Sequence, residues 1–172
     1  MNHDMLPASF LDAMACVPSA VTVIATTHEG SHAGLIATSV CSLSADPPTL
    51  LVCVNKSASA HAALLAAGTF SVNVLTASQG GFADRFVRTK GAARFATADW
   101  HLRWEGAPTL HHAMASFHCV LTEVTDGHTH SCIFGRVVQA HMAADSDATG
   151  LIWHQRGYGT HARLQRAAEP VC

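Results

Sequence analysis

Two clusters of small polar side chains flank one apolar stretch in the first third of the chain. Thr38, Ser39, Cys41, Ser42 and Ser44 precede it, and Asn55, Lys56, Ser57 and Ser59 follow it. In the first cluster the side chains are small enough to let backbone N–H groups approach a planar ring, and their hydroxyls can satisfy ring oxygens and nitrogens. In the second, Lys56 is a point charge suited to a phosphate, and the neighbouring hydroxyls and the start of a following helix favour an anion. The same residues also read as a Ser-rich turn followed by an ordinary capped helix, and their spacing alone leaves both readings open.

Thirteen histidines, including the pairs His111–His112 and His128–His130, invite a metal reading. A catalytic zinc takes about three protein ligands in tetrahedral disposition. The chain has no H-E-x-x-H, and its acidic residues are not spaced to complete a cluster, so no metal is expected. The six cysteines, at 16, 41, 53, 119, 132 and 172, form no C-x-x-C pair. They read as reduced thiols, with Cys53, Cys119 and Cys132 acting as small hydrophobes in strands. Trp100, Trp104 and Trp153 could stack on a ring, but packing is the more frequent duty of Trp, and none is assigned a catalytic role.

The elements that must hold these groups are mostly strands. Ser9 to Ala15 places Phe10, Leu11 and Met14 at helical spacing before Pro18 ends the pattern. Val21–Thr27 and Ala33–Val40 read as a hairpin around His28–Ser31, and Asp46, Pro47 and Pro48 impose an extended turn. Thr49–Val54 follows as a buried strand. Ser57 or Ser59 can cap a helix over Ala60–Ala67, which Gly68 closes. Phe70–Leu75 is a strand, and Ser78 can cap a helix running through Phe86. Val87–Ala107 lacks a period and reads as a mobile loop or partly extended segment. Phe117–Val124 and Ser131–His141 are β-rich, and Asp126–Gly127 between them is a hairpin signal. Leu151–Arg163 carries a final short strand or turn. Six or seven strands with short helices argue for an antiparallel barrel, in a single domain over 1–172 with tails at about 1–8 and 164–172. A Rossmann unit is disfavoured by this element pattern and by the lack of G-x-G-x-x-G after a strand.

The composition narrows the partners. Residues AVILMFWYC make up 49% of the 172 and charged residues only 13%, about half the usual quarter. A homodimer whose interface and ligand pocket absorb the apolar excess is expected. The net charge is -2, and the ten Lys and Arg form no basic run, which excludes the electrostatic footprint of nucleic-acid binding. No Lys or Arg precedes Lys56, and no apolar stretch reaches membrane-span length. A cytoplasmic protein without membrane attachment is expected.

In order along the chain stand Val21–Val23, Gly30 and Gly34. After them come the run Ala37–Pro48, then Leu51–Ser57, then Phe70, Val72, Asn73 and Leu75. Gln79, Ala83, Arg85 and Phe86 follow, then Gly106, Pro108 and Leu110, the strand around Cys119, and His130 with Gly135 and Val137. In this order and spacing the chain resembles the short flavin reductases that supply reduced flavin to two-component monooxygenases. The resemblance covers nearly the whole chain. It implies a mainly β, FMN-binding split β-barrel of six strands, Greek-key-like and usually dimeric. The implied activity is hydride transfer from NADH or NADPH to FMN or FAD, with the reduced flavin passed to a monooxygenase partner.

By the same resemblance, the segment Ala37–Pro48 grips the flavin. Ala37, Thr38, Ser39, Val40, Cys41, Ser42 and Ser44 line the isoalloxazine, while Asn55, Lys56, Ser57 and Ser59 hold the ribityl chain and phosphate. Arg85 lies toward the phosphate, His130 beside the nicotinamide, and Arg156 and Tyr158 border the pocket. The family's acidic residue before that histidine is Thr129 here, so His128 competes with His130 for the role. Two alternatives stay open: a flavoprotein of this fold that keeps its flavin and reduces a corrinoid or iron complex, and a flavin- or haem-sequestering protein without turnover.

Overall fold

A computed structural model describes residues 6–96, 99–144 and 148–162. The expected tail at 164–172 lies outside this range, as does most of the one at 1–8 and the last residue of the expected Leu151–Arg163 segment. The chain opens with helix α1 (Leu6–Ala15) and a two-residue strand β1 (Ser19–Ala20). β2 (Thr22–His28) and β3 (Ser31–Ala37) follow as the expected hairpin. Its turn places both Glu29 and Gly30 at positive φ, the conformation that matches the twist of the flanking strands. β2 is buried on both faces. Val23 belongs to an outer cluster with Ala83, Phe86 and Leu151. Ile24 belongs to the main core with Val52, Phe70, Cys119 and Ile133. That is why the strand reads as an unbroken apolar run.

The extended run expected from Ala33 to Val40 is interrupted at Thr38 and Ser39, after the Thr22 hydroxyl donates to the Ala37 carbonyl (2.7 Å). Beyond the break the small residues form a strand of their own, β4 (Val40–Ala45), paired with β5 (Pro48–Asn55). The turn between them contains a cis Asp46–Pro47 peptide. The Ser44 hydroxyl donates to the Asp46 carbonyl and accepts from its N–H.

Helix α2 (His61–Ala67) ends at Gly68, in the left-handed region as expected (φ 68°). Its start differs from expectation: Ala60 occupies the capping position and no side chain caps it. Ser57 is diverted, because its N–H and hydroxyl both donate to the Asn55 side-chain carbonyl (2.8 Å each). After β6 (Thr69–Val74), the capping role expected of Ser78 falls to Thr76, whose box with Gln79 opens a short turn ahead of α3 (Gly80–Arg88).

Across Val87–Ala107, expected as a mobile loop or partly extended segment, the described residues are ordered by local elements, in part extended as expected. The stretch contains the end of α3, a tight turn at Gly91–Phe95 and β7 (Trp100–Trp104), which pairs with β8 (Ala107–Leu110). No sequence period marks it because an aromatic cluster holds it: Phe95 meets Trp100 at 4.7 Å and Phe86 at 5.7 Å. Arg94 donates to the carbonyls of Thr89 and Gly34. Gly34 is required there, since a Cβ would stand 2.8 Å from the Ile24 carbonyl oxygen and 2.9 Å from the Phe95 ring.

Two thirteen-residue strands, β9 (Ala115–Gly127) and β10 (His130–Met142), form the long hairpin. Its turn is displaced from Asp126–Gly127. His128 takes the positive φ (62°), Gly127 stays in the strand opposite His130, and the connecting residues are His128 and Thr129. β11 (Leu151–His154) and β12 (Gly157–Thr160) close the described chain, with β1 beside β11.

The main sheet has seven strands, one more than the resemblance implies, in the order β3-β2-β6-β9-β10-β5-β4. Its two edges, β3 and β4, are consecutive in sequence and separated only by Thr38 and Ser39. The sheet therefore has to curl until its ends approach. Side chains from both edges, such as Leu35, Ala37 and Val40, pack with one interior cluster. The result is the split-barrel architecture. Among the described residues no helix is long and apolar enough to cross a membrane.

Candidate functional site

The two polar clusters lie on either side of β5. Near its start, the edge strand β4 leaves Ser39, Cys41 and Ser42 exposed, with Thr38, Val40 and Ser44 half-buried. The Cys53 N–H donates to the Ser39 carbonyl (3.0 Å), so alternate residues of β5, including Leu51, point their backbone groups at β4. Cys41, opposite Leu51, points back. By strand alternation the N–H groups of Val40 and Ser42 then face away from β5, on the open flank.

At the end of β5, Asn55 stands opposite His130 and Lys56 donates its N–H to the Thr129 carbonyl (3.0 Å). The Lys56 ammonium is paired with the Asp126 carboxylate. The Thr129 hydroxyl and His130 Nδ1 are 2.9 Å apart. Asn55, Lys56, Ser57 and Ser59 are exposed, His130 is half-buried and His128 exposed at the turn. The second cluster and the histidine hairpin thus meet at one corner, toward which only the Thr38–Ser39 end of the first cluster reaches, since Ser42 and Ser44 lie opposite Leu50 and Thr49.

The Lys56 hydrogen bond, and then its charge, hold the Asp126 carboxyl below the usual carboxylate range, with a smaller contribution from His128. A depressed folded-state value stabilises above the unfolded value and is lost as pH falls through the folded one. Carboxyl-carbon NMR should show Asp126 titrating below ordinary aspartates. In Lys56→Ala the midpoint should return toward the ordinary value; an unchanged midpoint would refute the pairing in solution.

A pocket of about 250 Å³ is lined by Val21, Ile36, Thr38, Val87, Trp153 and Tyr158. It brings Thr38 and Tyr158, 120 residues apart in sequence, into one mostly apolar lining. Trp153, for which packing was expected over ring stacking, is 37% exposed and meets Tyr158 edge to face at 5.1 Å. The signal available for it was its place three residues before Arg156 in the same short hairpin. Burial, followed by the charge of Asp84, raises the Tyr158 phenol above its ordinary value, so it stays a hydrogen-bond donor.

The pocket and the corner are neighbours through β4 and β5, because Ser39 lies against Cys53, two residues from Asn55. Two of the expected residues face other partners. Arg156 pairs with Asp12 of α1 at 2.5 Å. Arg85 pairs with Asp99 at 3.2 Å and lies over the Phe82 ring. Among the described residues no three His, Cys, Asp or Glu are grouped to hold a metal ion. His118 is half-buried, stacked 5.4 Å from Trp104, and burial lowers its imidazole below the ordinary value.

The family described as "Flavin reductase like domain" matches residues 14–162. A protein of Enterobacter sp. (strain 638) named FMN reductase (NADH) RutF is 40% identical over 162 residues, covering 92% of this chain and 95% of its own. Among solved structures, the Streptomyces globisporus NADH:FAD oxidoreductase SgcE6 superposes with a TM-score of 0.85 at 30% identity, over 95% of this chain and 96% of its own. BorF, the flavin reductase component of a bacterial two-component tryptophan halogenase, gives 0.79 at 30% identity, over 90% and 97%.

Proposed function

This chain belongs to the flavin reductase-like family, and on that premise we propose that it transfers a hydride from NADH to FMN or FAD and delivers the reduced flavin to a flavin-dependent monooxygenase or halogenase. The observation that carries the reading is the pocket lined by Thr38, Trp153 and Tyr158, next to the start of an edge strand with outward N–H groups, and the cation at Lys56 beyond the end of the neighbouring strand supports it. NADH is preferred over NADPH because the related enzymes bear NADH in their names. FMN and FAD both remain substrates, since one relative is named for each.

When bound, the flavin supplies the electron-accepting chemistry, which belongs to the cofactor pair. The protein contributes orientation and charge. Trp153 and Tyr158 supply ring faces, and Thr38 a hydroxyl at the pocket. The N–H groups of Val40 and Ser42 are assigned to the ring edge where negative charge grows, with Ala37, Ser39, Cys41 and Ser44 beside them. Asn55, Lys56, Ser57 and Ser59 hold the ribityl chain and phosphate. Arg85 and Arg156 would have to leave their carboxylate partners to contribute. His130 would orient the nicotinamide against the flavin, a task that needs no proton transfer. Exposed Phe10, Leu11 and Met142 support a homodimer, in which such side chains are covered. The chain is assigned to the cytoplasm, where NADH is available.

Anaerobic stopped-flow mixing with NADH should bleach added FMN or FAD in a protein-dependent way. Flavin binding without NADH consumption would replace the reading with a sequestering protein. His130→Ala should raise the apparent KM for NADH roughly tenfold, the loss of one good hydrogen bond, while flavin affinity stays within twofold. Equal loss of both would remove His130 from the nicotinamide side.

A further inference from the structure

Three of the described cysteines share one outward face of the barrel, on adjacent strands. Cys41 is on β4, Cys53 on β5 and Cys132 on β10. Cys53 and Cys132 stand directly opposite each other, with sulfurs 3.9 Å apart. The Cys53 N–H is directed to Ser39, and an antiparallel residue sends its N–H and C=O to the same side. Cys53 and Cys132 are therefore a non-hydrogen-bonded pair, the kind in which side chains come closest and Cα atoms lie about 4.5 Å apart. That separation falls within the range a disulfide bridges without moving backbone, about 4.4 to 6.8 Å. Both residues are half-buried, so a small oxidant has access.

We propose that Cys53 and Cys132 are a peroxide-modifiable dithiol, which closes to an intrachain disulfide between β5 and β10. In the first step Cys132 sulfur takes one oxygen from hydrogen peroxide; the O–O bond breaks, and a sulfenic acid and one water result. In the second, Cys53 sulfur attacks Cys132 sulfur, the S–O bond breaks and a second water leaves. Two thiols are oxidised to one disulfide and one peroxide is reduced to two waters. Cys53 is the resolving thiol: burial first, then its hydrogen bond to Cys132 and the charges of Cys132 and Cys41, raises its thiol above the ordinary value and holds it protonated until a partner is oxidised. Cys119 takes no part, since burial pushes its thiol up to about 12.

The location gives the modification consequence. Asn55 and His130, two residues from Cys53 and Cys132 along their strands, form the next pair on the same face, so the cross-link lies directly behind the corner assigned to the ligand. The source of the oxidant rests on the proposed function, because reduced flavin that meets dioxygen yields hydrogen peroxide. The site itself does not.

The test uses reduced whole protein and added hydrogen peroxide, so it is independent of reductase activity. Thiols are counted before and after, and the protein is cleaved under non-reducing conditions with trypsin and chymotrypsin together. Trypsin alone is insufficient because no Lys or Arg precedes Lys56. The expected result is a loss of two thiols per chain, a linked peptide pair containing Cys53 and Cys132, and recovery of both thiols with dithiothreitol. Cys53→Ser and Cys132→Ser should each abolish the linked pair, whereas Cys41→Ser should retain it. A linkage through Cys41, an intermolecular bond, or survival of both thiols would overturn the assignment; mapping of the unmutated protein decides this even if a variant fails to fold.

Discussion

Asn73→Leu should cost the fold about 3 to 5 kcal/mol, a large share of the roughly 5 to 15 that a domain of this size possesses. Asn73 is fully buried in β6, yet every polar atom it carries is used. Its amide donates to the Val23 carbonyl (3.2 Å) and the Ser71 hydroxyl (2.9 Å). Its carbonyl accepts from the Leu110 N–H (3.0 Å) and the Ser116 hydroxyl (2.9 Å). One side chain thus ties β2, β8 and β9 to β6. Leucine has similar volume, so the loss is not a cavity. It arises because the Leu110 N–H and Val23 carbonyl are fixed in the backbone and cannot turn to other partners. Urea unfolding would measure it, and a cost below about 1 kcal/mol would mean that water replaces the amide. Asn73→Asp adds a check with a defined sign. Burial raises a carboxyl's folded-state value above its unfolded one, so this variant's stability should rise as pH falls toward 5 and decline as pH rises. The parent should lack that trend.

Nothing in the sequence marks Asn73 as a tie, since its four partners come from segments 2 to 50 residues away. The strands themselves were legible where local chemistry and tertiary demand agree. β2 carries a β-branched run and is followed by the Glu29–Gly30 turn, and Gly68 ends α2 because a left-handed residue is needed there. Reading failed where a competing local contact won. Asp126–Gly127 is a strong turn dipeptide, yet the turn shifts to His128 and Thr129, and Lys56 pairs with Asp126 on the strand. Ser57 looks like a helix cap, but the Asn55 side chain, two residues away, captures its N–H. Between Val87 and Ala107 the order comes from aromatic contacts and Arg94, none of which has a period.

The candidate site divides in the same way. The polar groups flanking β5 were visible because they are adjacent in sequence and repeat the chemistry of a ring end and a phosphate end. The pairing of Thr38 with Tyr158, and of Lys56 with Asp126, was not visible in spacing; only the resemblance pointed to Tyr158. Trp153 was missed because a tryptophan in an apolar hairpin is more often packing, and here only its position beside Tyr158 on the pocket wall gives it another duty.

Lys56 and Asp126 should have opposite effects on the phosphate end of the ligand. An ammonium has three donors, and the Asp126 carboxylate occupies one direction. If Lys56 holds the flavin phosphate, Lys56→Ala should weaken FMN binding roughly tenfold to a hundredfold, the span of a charge-assisted hydrogen bond of about 1.5 to 3 kcal/mol. Riboflavin, which lacks the phosphate, should bind within twofold of the parent. Asp126→Asn frees the ammonium and removes a negative charge from beside the incoming phosphate, so FMN should bind more tightly while riboflavin is again unmoved. Raising salt should shrink both FMN effects, because both groups are substantially exposed and screened. A pair that served only to fix the β5 corner against the β9–β10 turn would behave otherwise: either substitution would loosen the same corner, and FMN and riboflavin would lose affinity together. Flavin-fluorescence titrations of the two ligands against the parent and the two variants separate these outcomes, since the ratio of FMN to riboflavin affinity moves only if the cation meets the phosphate.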